Sequence, residues 1–245
     1  MRIVLIALLA IALWGKSIEA EYKVEYGVFG RVAKSIAKLD QNQTNYKIEI
    51  VAQATGFAKV LTGNRKEIYE SSGKVVNGKL VPIHFVKKRS RRGKVSIKFF
   101  DFDHGRKKVY VHKEIYKNGK LIAKSKPSAL PYYAKNDLLT LYFNIIDTLR
   151  SKSGPQLFHA VGADRKTGRV DIIIPTGKEL EKLQHLLKEE GFYFIAIIHQ
   201  KIFASKDGKL FIVAGKDGIA KKAVLKDVIM FGDIVGKLVR KQVRE

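Results

Sequence analysis

The chain has 245 residues, 46% apolar and 10% aromatic, enough to bury a sizeable core, and no cysteine, which excludes disulfide staples and a thiol nucleophile. It carries 47 Lys and Arg against 23 Asp and Glu, a net charge of +24, and such an excess sets up a long-range field that favours anionic partners. After Trp14 no stretch reaches 18 consecutive apolar residues, so nothing beyond the N-terminus reads as a membrane-spanning helix.

The chain opens MRIVLIALLAIALWGKSIEA: Arg2 as a positive start, an apolar core from Ile3 to Trp14, then small and polar residues. That is the layout of a secretory signal peptide, and its core is well short of the roughly 20 residues a bilayer-spanning helix needs. The reading assigns residues 1–20 to the signal peptide, with cleavage after Ala20 and Ile18 two positions before it. A cut after Ser17, with Gly15 before it, is the alternative, and an uncleaved anchor the third option. No cysteine follows the apolar core, which excludes an acylated lipoprotein. Loss of residues 1–20 leaves 45 basic against 22 acidic residues, a net +23. In the periplasm, the expected location, that charge meets lipid head groups, lipopolysaccharide phosphates and wall polymers rather than nucleic acid, so no nucleic-acid partner is expected.

From Glu21 onward short alternating segments are separated by turn dipeptides. Tyr46, Ile48, Ile50 and Ala52 share one face of a strand with Lys47, Glu49 and Val51 on the other; residues 95–102 and 108–116 repeat this period of two. Ser72-Gly73, Asn77-Gly78, His104-Gly105, Asn118-Gly119, Thr167-Gly168, Asp207-Gly208 and Asp217-Gly218 are expected to turn hairpins, because these pairs tolerate positive φ. Residues 136–150, NDLLTLYFNIIDTLR, have helical spacing with Asn136 or Asp137 as N-cap, and apolar residues on several faces predict burial. Residues 177–190 predict a surface helix with a Thr176–Glu179 capping box and a stripe of Leu180, Leu183 and Leu187, closed by Gly191. The C-terminal stretch reads as two strands around Phe231-Gly232-Asp233, with a terminal helix as the competing reading. The fold class is mostly β (α+β): a curved antiparallel sheet forming a half-barrel or barrel-like structure, with one buried and one surface helix. Residues 21–245 form a single β-rich domain, with Pro127 and Pro131 marking a connector near 126–135 where two subdomains would meet.

Catalytic signatures are weak. Ser35-x-x-Lys38 and Lys166-Thr-Gly168 resemble motifs of penicillin-recognising serine enzymes, but Ser35 lies in an alternating strand rather than at a helix start, and Ser71-x-x-Lys74 matches equally well. Asp101-Phe-Asp103-His104 has the residue types of a cation site, yet His104-Gly105 reads as a turn. His84, His112, His159, His185 and His199 stand singly, without metal-ligand spacing. No catalytic set, cofactor or metal is expected.

The run KKRSRRGK supplies Lys87, Lys88, Arg89, Arg91, Arg92 and Lys94 as a candidate anionic-surface handle. It falls between two strand-like segments, so a solvated hairpin end is the plainer explanation, and charges there also discourage edge pairing. No aromatic residue interrupts it, as base stacking would ask.

Five segments together resemble a family of exported proteobacterial proteins known as a domain of unknown function: residues 22–39, 54–85, 98–109, 136–150 and 216–238. The resemblance spans residues 22–238 and rests on the order and spacing of individually weak motifs. It implies a periplasmic β-rich domain of unassigned activity. Curved sheets with a helix on the concave face are also similar to periplasmic carriers of lipids and lipoproteins, a likeness of fold that does not settle function. The sequence therefore points to a non-enzymatic envelope protein that encloses an apolar ligand such as a lipid chain, with Tyr142, Phe143 and Ile146 as cavity-lining candidates. A scaffold or assembly factor that binds another envelope protein is the alternative; an envelope hydrolase has the least support.

Overall fold

The computed structural model describes residues 15–164, 166–198, 208–228 and 232–244. Alternating side chains have built one curved sheet, as period-two segments joined by tight turns must. Its first half is a meander of β1 (Lys16–Tyr26), β2 (Arg31–Gln41), β3 (Asn45–Ala54), β4 (Lys66–Val76), β5 (Lys79–Arg91), β6 (Lys94–Asp103), β7 (Lys108–Lys117) and β8 (Lys120–Lys124), with the short β9 (Ser128–Ala129) on β7. The second half comprises β10 (Asn136–Asp137), β11 (Gly154–Val161), β12 (Arg169–Ile174), β13 (Phe192–Ile198), β14 (Lys209–Ala214), β15 (Ala220–Val228) and β16 (Gly232–Arg244). The last strand closes on the first, with Ser17 opposite Arg244 and Tyr26 opposite Ile234, so both halves belong to one sheet. The β10–β11 pairing is parallel, while the long strands run antiparallel. The C-terminal stretch is therefore two strands, as the alternation required; Phe231 of the expected turn and Asp207 lie outside the described residues.

Three connections show why the register holds. Asn77-Gly78, Arg92-Gly93 and Asn118-Gly119 each place two successive residues at positive φ, the geometry of a tight two-residue hairpin. Ser72-Gly73 does not turn the chain. It lies inside β4 at a register shift against β5, where a side chain at Gly73 would meet the Val81 carbonyl oxygen at 2.0 Å. In the His104-Gly105 turn it is Lys107, not the glycine, that takes positive φ.

Among the described residues three α-helices accompany the sheet: α1 (Gly56–Leu61), α2 (Leu138–Leu149) and α3 (Gly177–Leu187). Helix α1 is too short for its periodicity to be legible in advance. Helix α2 has the anticipated cap. The Asp137 carboxylate accepts from the Leu139 and Thr140 amides at 2.8 and 3.0 Å, while the Asp137 amide donates to Thr140 Oγ1. Helix α3 packs Leu183 and Leu187 on Ile195, Val213 and Val224, on one face of β13–β15. It differs from expectation at both ends. Thr176 occupies the N-cap without a side-chain bond, and Lys188 at φ 50° ends the helix three residues before Gly191.

The sheet curls so that its β10–β11 end lies against β4 and β5. Ser71 donates to Asp137 at 2.6 Å, Asn144 of α2 brackets Leu80 through both backbone groups, and Gly162 abuts the Phe85 ring. One core gathers Ile48, Phe85, Phe100 and Val109 with Leu139 and Val161; a second surrounds Leu141, Ile146 and Leu149. Lys16–Ala20, the last residues assigned to the leader, form the first half of β1. Within it Ile18 is 4% and Ala20 1% exposed, both in the first core. Residues 1–14 lie outside the described residues.

Candidate functional site

The inner face of β1–β3 is built from small side chains where it passes under α2. Ala20 pairs across the ladder with Ala37, and Tyr22 with Ser35. Two alanines side by side leave space that the flanking Ile18, Leu39, Ile48 and Ile50 do not fill. The roof is α2, which presents Leu138, Leu139, Tyr142 and Phe143, and the Ile219–Ala220 segment closes one side. The result is a predominantly apolar cavity of about 300 Å³, at the lower end of the roughly 300–1,000 Å³ typical of small-molecule sites.

Its polar groups are few. The Tyr142 hydroxyl donates to the Gly218 carbonyl at 2.6 Å. Burial, followed by the nearby Asp217 charge, pushes Tyr22 up to about 12. Burial also raises Tyr142, with Tyr22 and Asp217 adding to it. Both phenols therefore stay neutral at physiological pH and can donate hydrogen bonds but not act as bases. The cavity suits an apolar chain. A nucleophile paired with a base is not present among its lining residues.

Of the three helix residues named as candidates, the structure places Tyr142 and Phe143 beside this cavity. Ile146 lies one turn further along α2, in the second core against the Gly218 turn. The β1–β3 floor escaped the sequence reading, because Ala20 and Ala37 become neighbours only in the register of the folded ladder.

The basic run does not present one face, because most of it is strand. Alternation along β5 sends Lys87, Arg89 and Arg91 to the side of Phe85, and Lys88 to the other. Lys87 donates to the Gly162 carbonyl at 3.0 Å and lies over the Tyr69 ring. Arg89 donates to Glu67 at 2.8 Å, beside Arg65. Burial would raise Glu67, but hydrogen bonds from Tyr69 and Arg65 and the charges of Arg65 and Arg89 outweigh it and hold the carboxyl below its ordinary value. Arg91, Arg92 and Lys94 remain at the exposed hairpin end.

The other motif-like strings dissolve into structural contacts. Asp101 pairs with His84 at 2.8 Å, Asp103 caps the Arg106 amide, and His104 sits between Tyr133 Oη and the Pro82 carbonyl. Ser35 and Lys38 lie on a strand, so at odd spacing they project to opposite faces. Ser71 is fully buried, bonded to Tyr46 and Asp137. His199 lies outside the described residues. Among those residues there is no group of three or more His, Asp or Glu that could hold a metal, and no helix long and apolar enough to cross a membrane.

Sheet, inner helix and cavity define a barrel-like protein made from one curved, open sheet. Residues 21–170, more than half of the chain, match the family described as "Protein of unknown function (DUF3108)", and the chain belongs to that family. Among solved structures it is similar to the crystal structure of a beta-barrel-like protein of domain of unknown function DUF1849 from Brucella abortus. The two share 10% identity over 94% of this chain and 98% of that one, with a TM-score of 0.55, a likeness of fold alone. No curated protein matches the sequence.

Proposed function

We propose that this is an exported, periplasmic, non-enzymatic envelope protein that holds an apolar chain, such as the acyl tail of a lipid, between α2 and the β1–β3 floor. The observation that carries the reading is the apolar cavity of about 300 Å³ roofed by Tyr142 and Phe143. The signal-peptide layout read over residues 1–20, with Arg2 before the apolar core Ile3–Trp14, supports the envelope location. Filling the cavity tests it. An Ala37→Phe chain that keeps the thermal midpoint of the parent should lose fluorescent fatty-acid binding by about tenfold or more, since each methylene kept from burial forfeits about 0.8 kcal/mol. Native mass spectrometry should show lipid on the parent and none on the variant. Unchanged binding in a folded variant contradicts the proposal.

One observation favours a second reading, a scaffold that binds another envelope protein. Strand β8 ends the sheet, and all five of its residues are exposed, Leu121 and Ile122 included; such an edge can accept a partner's strand. A photocrosslinker at Ile122 should then give a stoichiometric protein adduct in cells, which the carrier reading does not require.

A further inference from the structure

Strand direction alternates, so the connections fall into two sets at opposite ends of the sheet. One end gathers the 27–30 turn, α1 with its flanks, the Arg92-Gly93 turn and the Asn118-Gly119 turn. Backbone hydrogen bonds link these neighbours in series: the Thr55 amide to Val32 O, Arg92 to Gly63 O and Asn118 to Gly93 O. They form one continuous rim.

The rim reverses the usual burial rule. Phe57, Val60 and Leu61 stand at i, i+3 and i+4 on α1, the spacing of one helical face, yet Phe57 is 64% and Val60 75% exposed. Beside them Val28 at the tip of the 27–30 turn is 89% exposed, and Phe29 is also exposed. An apolar helix stripe facing outward, next to an apolar turn tip, marks an interaction surface. The same segments carry Lys59, Arg91, Arg92, Lys94, Lys117 and Lys120, all exposed, and residues 27–31, 55–64, 91–94 and 117–120 contain no Asp or Glu.

We infer that this rim docks on an anionic phospholipid bilayer, with the α1 stripe and the Val28–Phe29 tip entering the head-group region and the flanking cations meeting lipid phosphates. The charge complementarity selects an anionic surface. The apolar residues are convex tips rather than a groove, which suits a fluid interface that needs no matching shape. The inference stands apart from the cavity: an empty cavity would leave it intact.

The test uses the full chain and vesicles of phosphatidylcholine with or without phosphatidylglycerol. Cosedimentation is expected with the phosphatidylglycerol vesicles and to weaken as salt rises. Phe57→Ser, Val60→Ser and Leu61→Ser together should reduce it about tenfold or more. Arg91→Gln, Arg92→Gln and Lys94→Gln together should reduce it by a similar factor of roughly ten. Both sets should keep fatty-acid binding, which separates failure here from failure of the cavity reading. Because the chain has no cysteine, Val60→Cys and Gln43→Cys can each carry a polarity-sensitive fluorophore, one at the rim and one in a turn at the opposite end. A blue shift on phosphatidylglycerol vesicles at Val60→Cys alone supports the docking. No sedimentation, equal binding to pure phosphatidylcholine, or a shift at Gln43→Cys overturns it; a rim that binds a protein partner instead would give the first of these.

Discussion

Asp137 ties α2 to the sheet, and its titration should be visible in stability. The carboxyl caps the helix, accepts a bond from Ser71 of β4, and is fully buried. Burial is the largest influence and pushes it up to about 6 from an ordinary 3.8, against the hydrogen bonds from Ser71, Thr140 and Leu139. The folded state thus holds this proton more tightly than the unfolded chain. Its contribution is complete below about pH 4 and is lost as pH rises through about 6, a total on the order of 3 kcal/mol. Urea unfolding across pH 4–7 should show the parent losing stability relative to Asp137→Asn by about that amount; parallel curves would show that the proton is not held. The cap itself was legible, because Asn-Asp before an apolar periodic run is a local signal. The Tyr46–Ser71–Asp137 network was not, because its members lie 25 and 66 residues apart and meet only when the sheet curls.

At the scale of elements, local rules succeeded where one dipeptide or one period decides the outcome. The Asn-Gly hairpins, the strand alternation and the extent of α2 followed directly from sequence. Ser72-Gly73 and the α3 termini did not, because both depend on neighbours: Gly73 answers to the Val81 carbonyl across the ladder, and α3 stops where Lys188 turns left-handed. Strand β1 carries the sharpest consequence. Its first half pairs with both β2 and β16 and buries Ile18 and Ala20. A leader ending at Ala20 would strip that half away and open the cavity floor, whereas a cut at or before Ser17 keeps its buried residues Ile18 and Ala20. Mass spectrometry of the protein from the producing cells should find an N-terminus no later than Ile18. An N-terminus at Glu21 would mean that the strand forms without its first half. Deleting Lys16–Ala20 should lower stability by several kcal/mol, since two buried side chains and a stretch of ladder go together.

Taken as a whole molecule, the chain divides its surfaces by charge and shape. The inner face of the sheet, under α2, is apolar and encloses the cavity; most charges lie on the outer face and at the turns. Alternation alone made the two faces readable in sequence and gave the curved sheet with its buried helix. It could not reveal the floor of the cavity, because that requires knowing that Ala20 and Ala37 face each other in register. For the same reason the six cations of the 87–94 run read as one patch and are distributed over two faces and a turn. The central claim is that the space beneath Tyr142 and Phe143 takes an apolar chain, and calorimetric titration of fatty acids of increasing length tests it most directly. Affinity should grow roughly fourfold per methylene, with a negative heat-capacity change, until the cavity is full, and then level off. Affinity that ignores chain length, or that persists undiminished in Ala37→Phe, would contradict it.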